Sequence, residues 1–359
     1  RRRMTRPLLR LLQAMGSGGY GGAEAFFERL ARAFHRAGLA QRLLIRRHGE
    51  RARKLREAGL EVVELDFGGL FDLRTGARFR RNVAEFEPDL VITWMNRATR
   101  FCPRATRRRP FVHLARLGGY YNLKYYRRCD HLIGNTEDIV RYLRAQGWPE
   151  ERAHYLPNFV DAVAAPPVAR AHLETPENVP LLLALGRLHP NKAFDTLIEA
   201  LPEIADAHLW LAGEGPQKGE LVKLAERRGV ADRVRFLGWR ADAPALFAAA
   251  DLCVCPSRIE PLGNVVIEAW AHGVPVVAAA GAGPAALIED GRTGLLVAID
   301  DPAGLARASR RVLADAALSR RLVVEGRSAF EADYTEDAVV ARYRAFFDRV
   351  TGECAASPG

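Results

Sequence analysis

The fold of this chain is decided by the stretch Pro256-Ser257-Arg258-Ile259-Glu260-Pro261-Leu262-Gly263-Asn264-Val265-Val266-Ile267-Glu268-Ala269-Trp270. An apolar run at 251–255 comes before it and predicts a buried strand. The segment 265–272 predicts a helix, which ends at Gly273 before a second apolar run. A buried strand, a helix and another buried strand in this order indicate a parallel sheet covered by helices.

The same stretch contains two carboxylates on either side of a loop-to-helix junction. Glu260 is expected in the loop and Glu268 on the second turn of the helix. Between them, the amides of Gly263 and Asn264 lie at a helix N-terminus, where a phosphate binds readily. Carboxylates can accept hydrogen bonds from sugar hydroxyls while the helix end holds a diphosphate. The stretch therefore predicts binding of a nucleotide-sugar.

Length and composition indicate a globular protein of two domains. The 359 residues exceed one ordinary core, and 48% are hydrophobic against 27% charged. No apolar run reaches the about 18 residues of a transmembrane helix, and no secretory signal is evident. The five cysteines lie mostly in apolar contexts, which favours buried thiols over a metal site and indicates a reducing compartment. We therefore expect a cytoplasmic protein.

Positive charge is concentrated in the first half of the chain. Residues 1–160 hold 32 Lys and Arg against 16 Asp and Glu, whereas the remainder holds 21 against 27. Basic clusters lie at 78–81, 107–109 and 124–128. They either solvate an exposed surface or meet an anionic one, such as the inner face of the cell membrane or an acidic glycan. No nucleic-acid partner is expected, because no recognised nucleic-acid module accompanies these clusters.

Strand-like and helix-like segments alternate in both halves. The first half has a predicted helix at 23–35 and predicted strands at 8–13, 41–45, 61–65, 89–94, 111–115 and 131–133. In the second half the predicted strands are 179–185, 208–211, 234–237, 251–254 and 274–277. This alternation predicts an α/β protein with two Rossmann-like, doubly wound parallel sheets. If the two domains face each other, ligands are expected in an interdomain cleft between the carboxyl ends of the sheets.

A stretch with two prolines, 163–168, predicts the linker between the domains. The N-terminal domain is then expected at 1–162 and the C-terminal domain at 169–335. A final helical segment, 336–359, follows the completed second sheet. We expect it to cross back to the N-terminal domain.

The glycine-rich loop after the first predicted strand supports a competing interpretation. Gly16, Gly18 and Gly21 match the G-x-G-x-x-G fingerprint of dinucleotide-binding proteins. That fingerprint needs an acidic residue about 20 positions on, at the end of the second strand. Here the strand ends in Arg46 and Arg47, which suit only a cofactor with a 2′-phosphate. An NADP-dependent dehydrogenase is therefore an alternative.

Two cations follow the first strand of the second half. Arg187 and Lys192 lie five residues apart across a loop that enters a helix at the mouth of a parallel sheet. Together they can neutralise a leaving diphosphate, with the arginine as a fork and the lysine as a point charge. They would replace the divalent metal that other sugar transferases need, and the sequence has no Asp-x-Asp motif. Neither a metal nor another cofactor is expected.

Short motifs spread over most of the chain carry a family resemblance. They are Gly21-Gly22-Ala23-Glu24, Pro157-Asn158-Phe159-Val160-Asp161, Gly186-Arg187-Leu188-His189-Pro190-Asn191-Lys192, Gly213-Glu214-Gly215-Pro216, Phe236-Leu237-Gly238-Trp239, the Glu260 and Glu268 pair, and Gly273-Val274-Pro275-Val276-Val277. In this order they resemble the retaining glycosyltransferases of family 4. The resemblance implies the GT-B fold, which consists of two facing Rossmann-like domains.

The resemblance also implies roles for individual residues. Glu260 would face the donor sugar, Glu268 would bond the ribose, and Arg187 and Lys192 would hold the diphosphate. The remaining donor-binding positions are Gly21, Gly22, Gly186, Gly238, Trp239, Leu262, Gly263 and Asn264. Many family members also have a histidine at the end of a middle strand of the N-terminal domain. Arg116 matches that position here, and His113 lies nearby, so either could take a catalytic role.

The sequence therefore predicts a retaining, metal-independent glycosyltransferase. Its donor would be a nucleoside-diphosphate sugar, with UDP favoured over GDP, and its acceptor a lipid-linked or cell-envelope glycan met at the inner membrane surface. A sugar-nucleotide epimerase of the same architecture, a glycan-binding protein without activity and the dehydrogenase remain alternatives.

Overall fold

The computed structural model describes residues 9–19, 21–69 and 72–356 of the chain, with side chains as far as residue 352. These residues divide into two compact units. Unit 1 comprises the described residues up to Asn158 together with those from Val339 onward, and unit 2 comprises Phe159–Ala338. The first division therefore falls before the predicted linker at 163–168, and the second falls inside the predicted C-terminal helix.

Unit 1 is built on a parallel sheet of seven strands in the order β3-β2-β1-β4-β5-β6-β7. The strands are β1 (Arg10–Met15), β2 (Ala40–Arg46), β3 (Glu61–Leu65), β4 (Leu90–Trp94), β5 (Val112–Leu117), β6 (His131–Gly134) and β7 (Ala153–Tyr155). The helices between them are α1 (Gly22–Arg36), α2 (Gly49–Glu57), α3 (Leu73–Phe86), α4 (Met95–Phe101) and α5 (Glu137–Ala145). Every residue of β4 is buried, as expected for a parallel strand covered on both faces.

Unit 2 is built on a parallel sheet of six strands in the order β10-β9-β8-β11-β12-β13. The strands are β8 (Leu181–Leu185), β9 (His208–Ala212), β10 (Val234–Gly238), β11 (Leu252–Cys255), β12 (Val276–Ala279) and β13 (Leu295–Val297). The helices are α6 (Phe194–Ala200), α7 (Lys218–Arg227), α8 (Ala243–Ala249), α9 (Asn264–Ala271), α10 (Ala282–Leu287), α11 (Pro302–Ala314) and α12 (Ala316–Asp333). Trp210 and Trp270 fill its interior, where burying a large side chain contributes about 2–3 kcal/mol.

The strand order changes direction at the first strand of each sheet. β1 pairs with β2 on one side and with β4 on the other, and β8 pairs with β9 and β11 in the same way. Ligands of open α/β sheets bind at such switch points, outside the carboxyl ends of the strands. The loops that follow β1 and β8 are therefore the candidate sites of the two units. This architecture confirms the predicted pair of Rossmann-like domains.

The predicted strands match observed strands, with ends that move by at most two residues. The first, predicted at 8–13, is observed as Arg10–Met15, and residue 8 lies outside the described residues. β7 and β13 were missed. Each has three residues and pairs at a sheet edge, which is too short for an apolar run or an alternating pattern to stand out.

The last helix, α13 (Glu336–Ala356), packs on unit 1 from Val339 onward. The rings of Tyr343 and Phe347 meet the ring of Phe34 edge-on, with centroids 5.3 and 5.7 Å apart. α13 therefore covers α1. None of the helices described here is long and apolar enough to cross a lipid bilayer.

Candidate functional site

The loops that follow β8 and β9 pack tightly against each other. Gly213 has a φ of 151°, and a Cβ atom there would lie 1.9 Å from the carbonyl oxygen of Gly186. Only glycine fits both this backbone conformation and this contact. The candidate donor-binding residue Gly186 therefore lies in a rigid pair of loops at the switch point of the second sheet.

Lys192 and Glu260 form an ion pair beside these loops. Nζ of Lys192 donates to Oε2 of Glu260, and the hydroxyl of Ser257 donates to the same oxygen at 3.4 Å. The amide of Gly263 donates to Oε1 at 3.3 Å. Glu260 is only 7% exposed, and a buried carboxylate is costly without such partners. The structure thus brings two of the candidate catalytic residues together.

Arg258, which is not among the predicted site residues, connects the Lys192 loop to the Glu260 loop. Its guanidinium donates to both carboxylate oxygens of Asp195, at 3.0 and 2.7 Å, and to the carbonyl oxygen of Pro190 at 2.8 Å. The hydrogen bonds to Asp195 raise the pKa of Arg258. No motif marks a loop arginine for such a role, because its partners lie more than sixty positions away in the sequence.

The start of α9 differs from the expectation in one respect. The amide of Gly263 was expected to approach the donor, but it donates to Glu260 instead. Oδ1 of Asn264 is buried and accepts no hydrogen bond from any described residue. Glu268 lies half-buried on the second turn of the helix, at the predicted position. Because buried polar atoms are nearly always paired, Asn264 offers a free acceptor to a polar ligand.

Other candidate donor-binding residues lie at the same edge of the second sheet. Arg187 follows β8, is exposed, and forms no ion pair with a described residue. Trp239 follows β10 and is 73% exposed. The carbonyl oxygen of Gly238 accepts from the amide of Gly213 at 2.7 Å, so the loops after β9 and β10 are joined. Leu262 is half-buried in the loop before α9.

The glycine-rich loop of unit 1 leads directly into α1. Gly21 is the N-cap residue of this helix and Gly22 its first residue, and no side chain caps the helix. Glu24 lies buried in the first turn, and a Cβ atom at Gly21 would lie 2.8 Å from its carboxylate. The first backbone amides of α1 therefore face outward at the carboxyl end of β1, where an anion would be stabilised.

Arg51 of α2 fixes this loop from the protein interior. Its guanidinium donates to the carbonyl oxygens of Ser17 and Gly19, at 3.1 and 2.7 Å, and to Glu28 at 2.8 Å. The side chain of Arg51 is fully buried. No sequence signal distinguishes this residue, because α2 contains several arginines and periodicity alone does not separate the buried one from the exposed ones.

Arg116, a candidate catalytic residue, is enclosed in the interior of unit 1. Its guanidinium lies over the rings of Phe26 and Trp94, 4.6 and 4.7 Å from their centroids. It donates to the hydroxyl of Tyr343 at 2.9 Å and to Oδ1 of Asn158. Only 2% of Arg116 is exposed. This buried position does not support the expected catalytic role of Arg116, and it makes Arg116 a link between β5, α13 and the end of the first chain segment of unit 1.

His113, the other candidate, is also a structural residue. Its Nε2 lies 3.0 Å from the hydroxyl of Thr93 and 3.9 Å from Sγ of Cys129, all of them buried. Burial lowers the pKa of His113 from 6.5 to about 4, so the ring is neutral at pH 7. The expected catalytic role of His113 is therefore not supported by its position.

The thiol of Cys255 donates to the hydroxyl of Ser257 at 3.7 Å, next to Glu260. Within residues 9–19, 21–69 and 72–356, no three His, Cys, Asp or Glu side chains lie close enough to hold a metal ion. The free, buried thiols are those of Cys102, Cys129, Cys253 and Cys255. Burial raises the pKa of Cys255 to about 11, so it remains a thiol.

Both halves of the chain match family models. The model of Glycosyltransferase Family 4 matches residues 20–163, and that of Glycosyl transferases group 1 matches residues 179–315. The first match lies in unit 1 and the second in unit 2, apart from the five residues 159–163.

Individual proteins are similar over nearly the whole chain. The lipopolysaccharide core biosynthesis glycosyltransferase LpsD of Rhizobium meliloti is 38% identical over 92% of this chain and 96% of its own length. LpsE of the same organism is 36% identical over 90% of this chain and 94% of its own. A crystal structure of Anabaena HepE in complex with UDP-glucose superposes with a TM-score of 0.77 at 22% identity, covering 95% of this chain and all of that one.

Proposed function

The chain belongs to glycosyltransferase family 4, and on that premise we propose that it transfers a hexose from a nucleoside-diphosphate sugar, with UDP favoured over GDP, to a lipopolysaccharide core. The transfer retains the anomeric configuration and needs no metal ion. Family membership contradicts the dehydrogenase alternative. The curated relatives that act in lipopolysaccharide core biosynthesis support the choice of acceptor.

The proposed reaction is a front-face displacement at the anomeric carbon of the donor. The bond from this carbon to the β-phosphate oxygen breaks, and a bond to the acceptor hydroxyl oxygen forms on the same face. The acceptor proton passes to the departing phosphate oxygen. Negative charge therefore develops on the diphosphate, and fixed cations that stabilise it are the largest contribution available to the protein.

Unit 2 supplies the groups for this chemistry. Lys192 and Arg187 bind the diphosphate, Glu260 accepts from sugar hydroxyls, and Glu268 accepts from the ribose. The free acceptor of Asn264 adds a further partner for a hydroxyl. The observation that carries the proposal is the pairing of Lys192 with Glu260, because the same contact that fixes the carboxylate also holds the ammonium at the switch point of the sheet.

A panel of nucleotide-sugars tests the donor. Thermal unfolding is measured with UDP-glucose, UDP-galactose, UDP-N-acetylglucosamine and GDP-mannose, each with and without EDTA. We expect the melting temperature to rise with one UDP-sugar and to be the same with EDTA. A rise in melting temperature that requires added divalent metal would contradict metal independence. A rise with GDP-mannose alone would mean that the donor is a GDP-sugar and not a UDP-sugar.

Product analysis separates transfer from epimerisation. The donor selected by the panel is incubated with lipopolysaccharide from a strain with a truncated core, and the new linkage is assigned by NMR. We expect a product whose anomeric configuration equals that of the donor. Release of the nucleotide at the same rate without acceptor, together with an epimerised free sugar, would identify an epimerase.

The basic clusters of unit 1 suit an anionic membrane, where such an acceptor resides. Arginines of 78–81 and 107–109 and basic residues of 124–128 are exposed. Among the exposed apolar residues of the same unit are Leu73 and Tyr120. We expect co-sedimentation with phosphatidylglycerol vesicles that weakens with salt. Equal binding to phosphatidylcholine vesicles would contradict this contact and leave the transferase activity unaffected.

A further inference from the structure

A cavity of about 570 Å³ opens beside the glycine-rich loop of unit 1. It lies at the carboxyl ends of β1, β2 and β4, and its volume is in the range of small-molecule sites, about 300–1,000 Å³. We infer that this cavity binds a negatively charged sugar of the acceptor, through a phosphate or a carboxylate. That the ligand is the acceptor rests on the proposed function. That the cavity prefers a negatively charged sugar does not depend on it.

Among the described residues, three arginines and no Asp or Glu line the cavity. Arg46 forms no ion pair with any described residue, and Arg97 donates to the carbonyl oxygen of Phe67 at 3.1 Å. Arg47 pairs with the exposed Asp66 at 2.5 Å. The cavity therefore has two cations without a carboxylate partner and a third that is partly neutralised. An anionic ligand would supply the missing negative charge.

This arrangement differs from that of other arginines in unit 1. Arg42, Arg56 and Arg81 each reach a carboxylate within 3.2 Å. Arg46 instead lies half-buried against the loop, with its Cδ 3.4 Å from the place where a Cβ of Gly18 would be. A guanidinium held against backbone is already ordered, so binding an anion costs little additional side-chain entropy.

The glycine loop adds a backbone donor to these cations. Arg51 holds the carbonyl oxygens of Ser17 and Gly19. In a trans peptide the next N–H points opposite to the carbonyl, so the amide of Gly18 points away from Arg51. Gly18 lines the cavity, and its amide donates to no described residue. Backbone amides combined with arginines are a common way to bind phosphates and carboxylates.

Apart from its cations, the cavity suits the remainder of a sugar. Tyr121 lines it with a partly buried ring, and the buried Trp94 also belongs to the lining. Burial, and then the charge of Glu24, raise the pKa of Tyr121, so its hydroxyl stays protonated and can donate. Asn96 also lines the cavity, with its Oδ1 accepting from the hydroxyl of Tyr126. Rings and hydrogen-bonding groups beside the cations favour a sugar over a free inorganic ion.

The experiment compares three probes that share the galactose ring and differ in the group at C6: galactose, galacturonate and galactose 6-phosphate. Their binding to the full chain is measured by NMR titration at two salt concentrations. We expect the charged sugars to bind at least tenfold more tightly than galactose, and less tightly at high salt. Whichever of the two binds more tightly identifies the anionic group as carboxylate or phosphate. Equal binding of all three, or no binding, would overturn the inference.

Matched variants locate the site. R46Q and R97Q should each weaken binding of the preferred charged probe about tenfold, whereas R104Q, at an exposed arginine outside the cavity, should bind like the wild type. Equal effects of all three variants would indicate nonspecific attraction to the basic surface and overturn the site.

Competition separates this inference from the proposed function. UDP should not displace the charged sugar, and UDP should raise the melting temperature of R46Q as it does that of the wild type. Displacement by UDP would assign the cavity to the donor and overturn the inference, although the chain would remain a transferase. Binding of the charged sugar without any response to nucleotide-sugars would instead count against the proposed function alone.

Discussion

The first strand of each sheet ends in a loop at a switch point, and the two loops are held in opposite ways. In unit 1, the buried Arg51 holds the loop carbonyls from the interior, and two of the three arginines at the cavity, Arg46 and Arg97, have no carboxylate partner among the described residues. In unit 2, the cation Lys192 is paired with the buried carboxylate of Glu260, which is itself held by a hydroxyl and an amide.

This difference separates two kinds of recognition on one architecture. Cations without carboxylates favour any anion of suitable size, so the loop of unit 1 selects by charge. A paired cation gives little net attraction, but its position is fixed, so the loop of unit 2 selects by geometry. Fixed positions are what a reaction centre requires, whereas net charge is sufficient to capture an acceptor.

The largest expected effect is on the rate, at Lys192. K192Q should lower turnover by about 10²–10³-fold, since it removes a fixed cation from the developing charge. It should also lower stability, because Glu260 loses its partner. The double variant K192Q/E260Q should recover the stability and not the rate. Turnover assays measure the rate and urea unfolding measures the stability. A near-wild-type rate for K192Q would mean that the paired cation of unit 2 does not take part in the reaction.

The next effect concerns Arg51 in unit 1. R51M should lower the free energy of unfolding by about 3 kcal/mol, because it leaves the mostly buried Glu28 without its closest partner. R53M, which breaks the exposed pair of Arg53 with Glu57 on the same helix, should change it by less than about 1 kcal/mol. Urea denaturation measures both. Similar values for the two variants would mean that Arg51 does not hold the loop.

Acid should weaken unit 1 through His113. The unfolded chain binds a proton near pH 6.5, and the folded chain only near pH 4. Between these values the unfolded state binds more protons, so stability falls as the pH falls, by about 3 kcal/mol in total. Hydrogen exchange of unit 1 peptides at pH 7 and pH 5 measures the loss. H113Q should reduce this slope, with the rest due to His154, whose pKa burial also lowers to about 4. An unchanged slope would mean that His113 does not contribute to it.

The smallest effect tests the packing of the unit 2 loops. G213A should cost about 1–3 kcal/mol, because its Cβ would meet the carbonyl of Gly186 and its φ is unfavourable for alanine. The control G219A lies in α7, with nothing near its Cβ, and should stabilise by about 0.5–1 kcal/mol. Thermal unfolding of both compares them. A harmless G213A would show that the loops of unit 2 are not rigid.

The sequence was sufficient to predict the longer strands and the order of the elements. The apolar runs that form β8 and β11 are buried on both faces of the sheet, so their apolar composition alone predicts them as strands. The edge strands β7 and β13 were missed because three residues carry no period. Glu268 was predicted at its observed helix position, while the partner of the Gly263 amide was not. A backbone hydrogen bond to a side chain leaves no trace in the residue types.

The amino-acid sequence by itself determined the two α/β domains, the family and the residue types at the switch points, because these depend on local periodicity and on short motifs. Only the tertiary structure decided which of these residues share a site. It paired Lys192 with Glu260 and enclosed Arg116 and His113 in the interior of unit 1. It also left Arg46 without a carboxylate at a cavity. Whether a charge is paired, buried or free depends on groups far away along the chain, and the packing of whole elements brings those groups together.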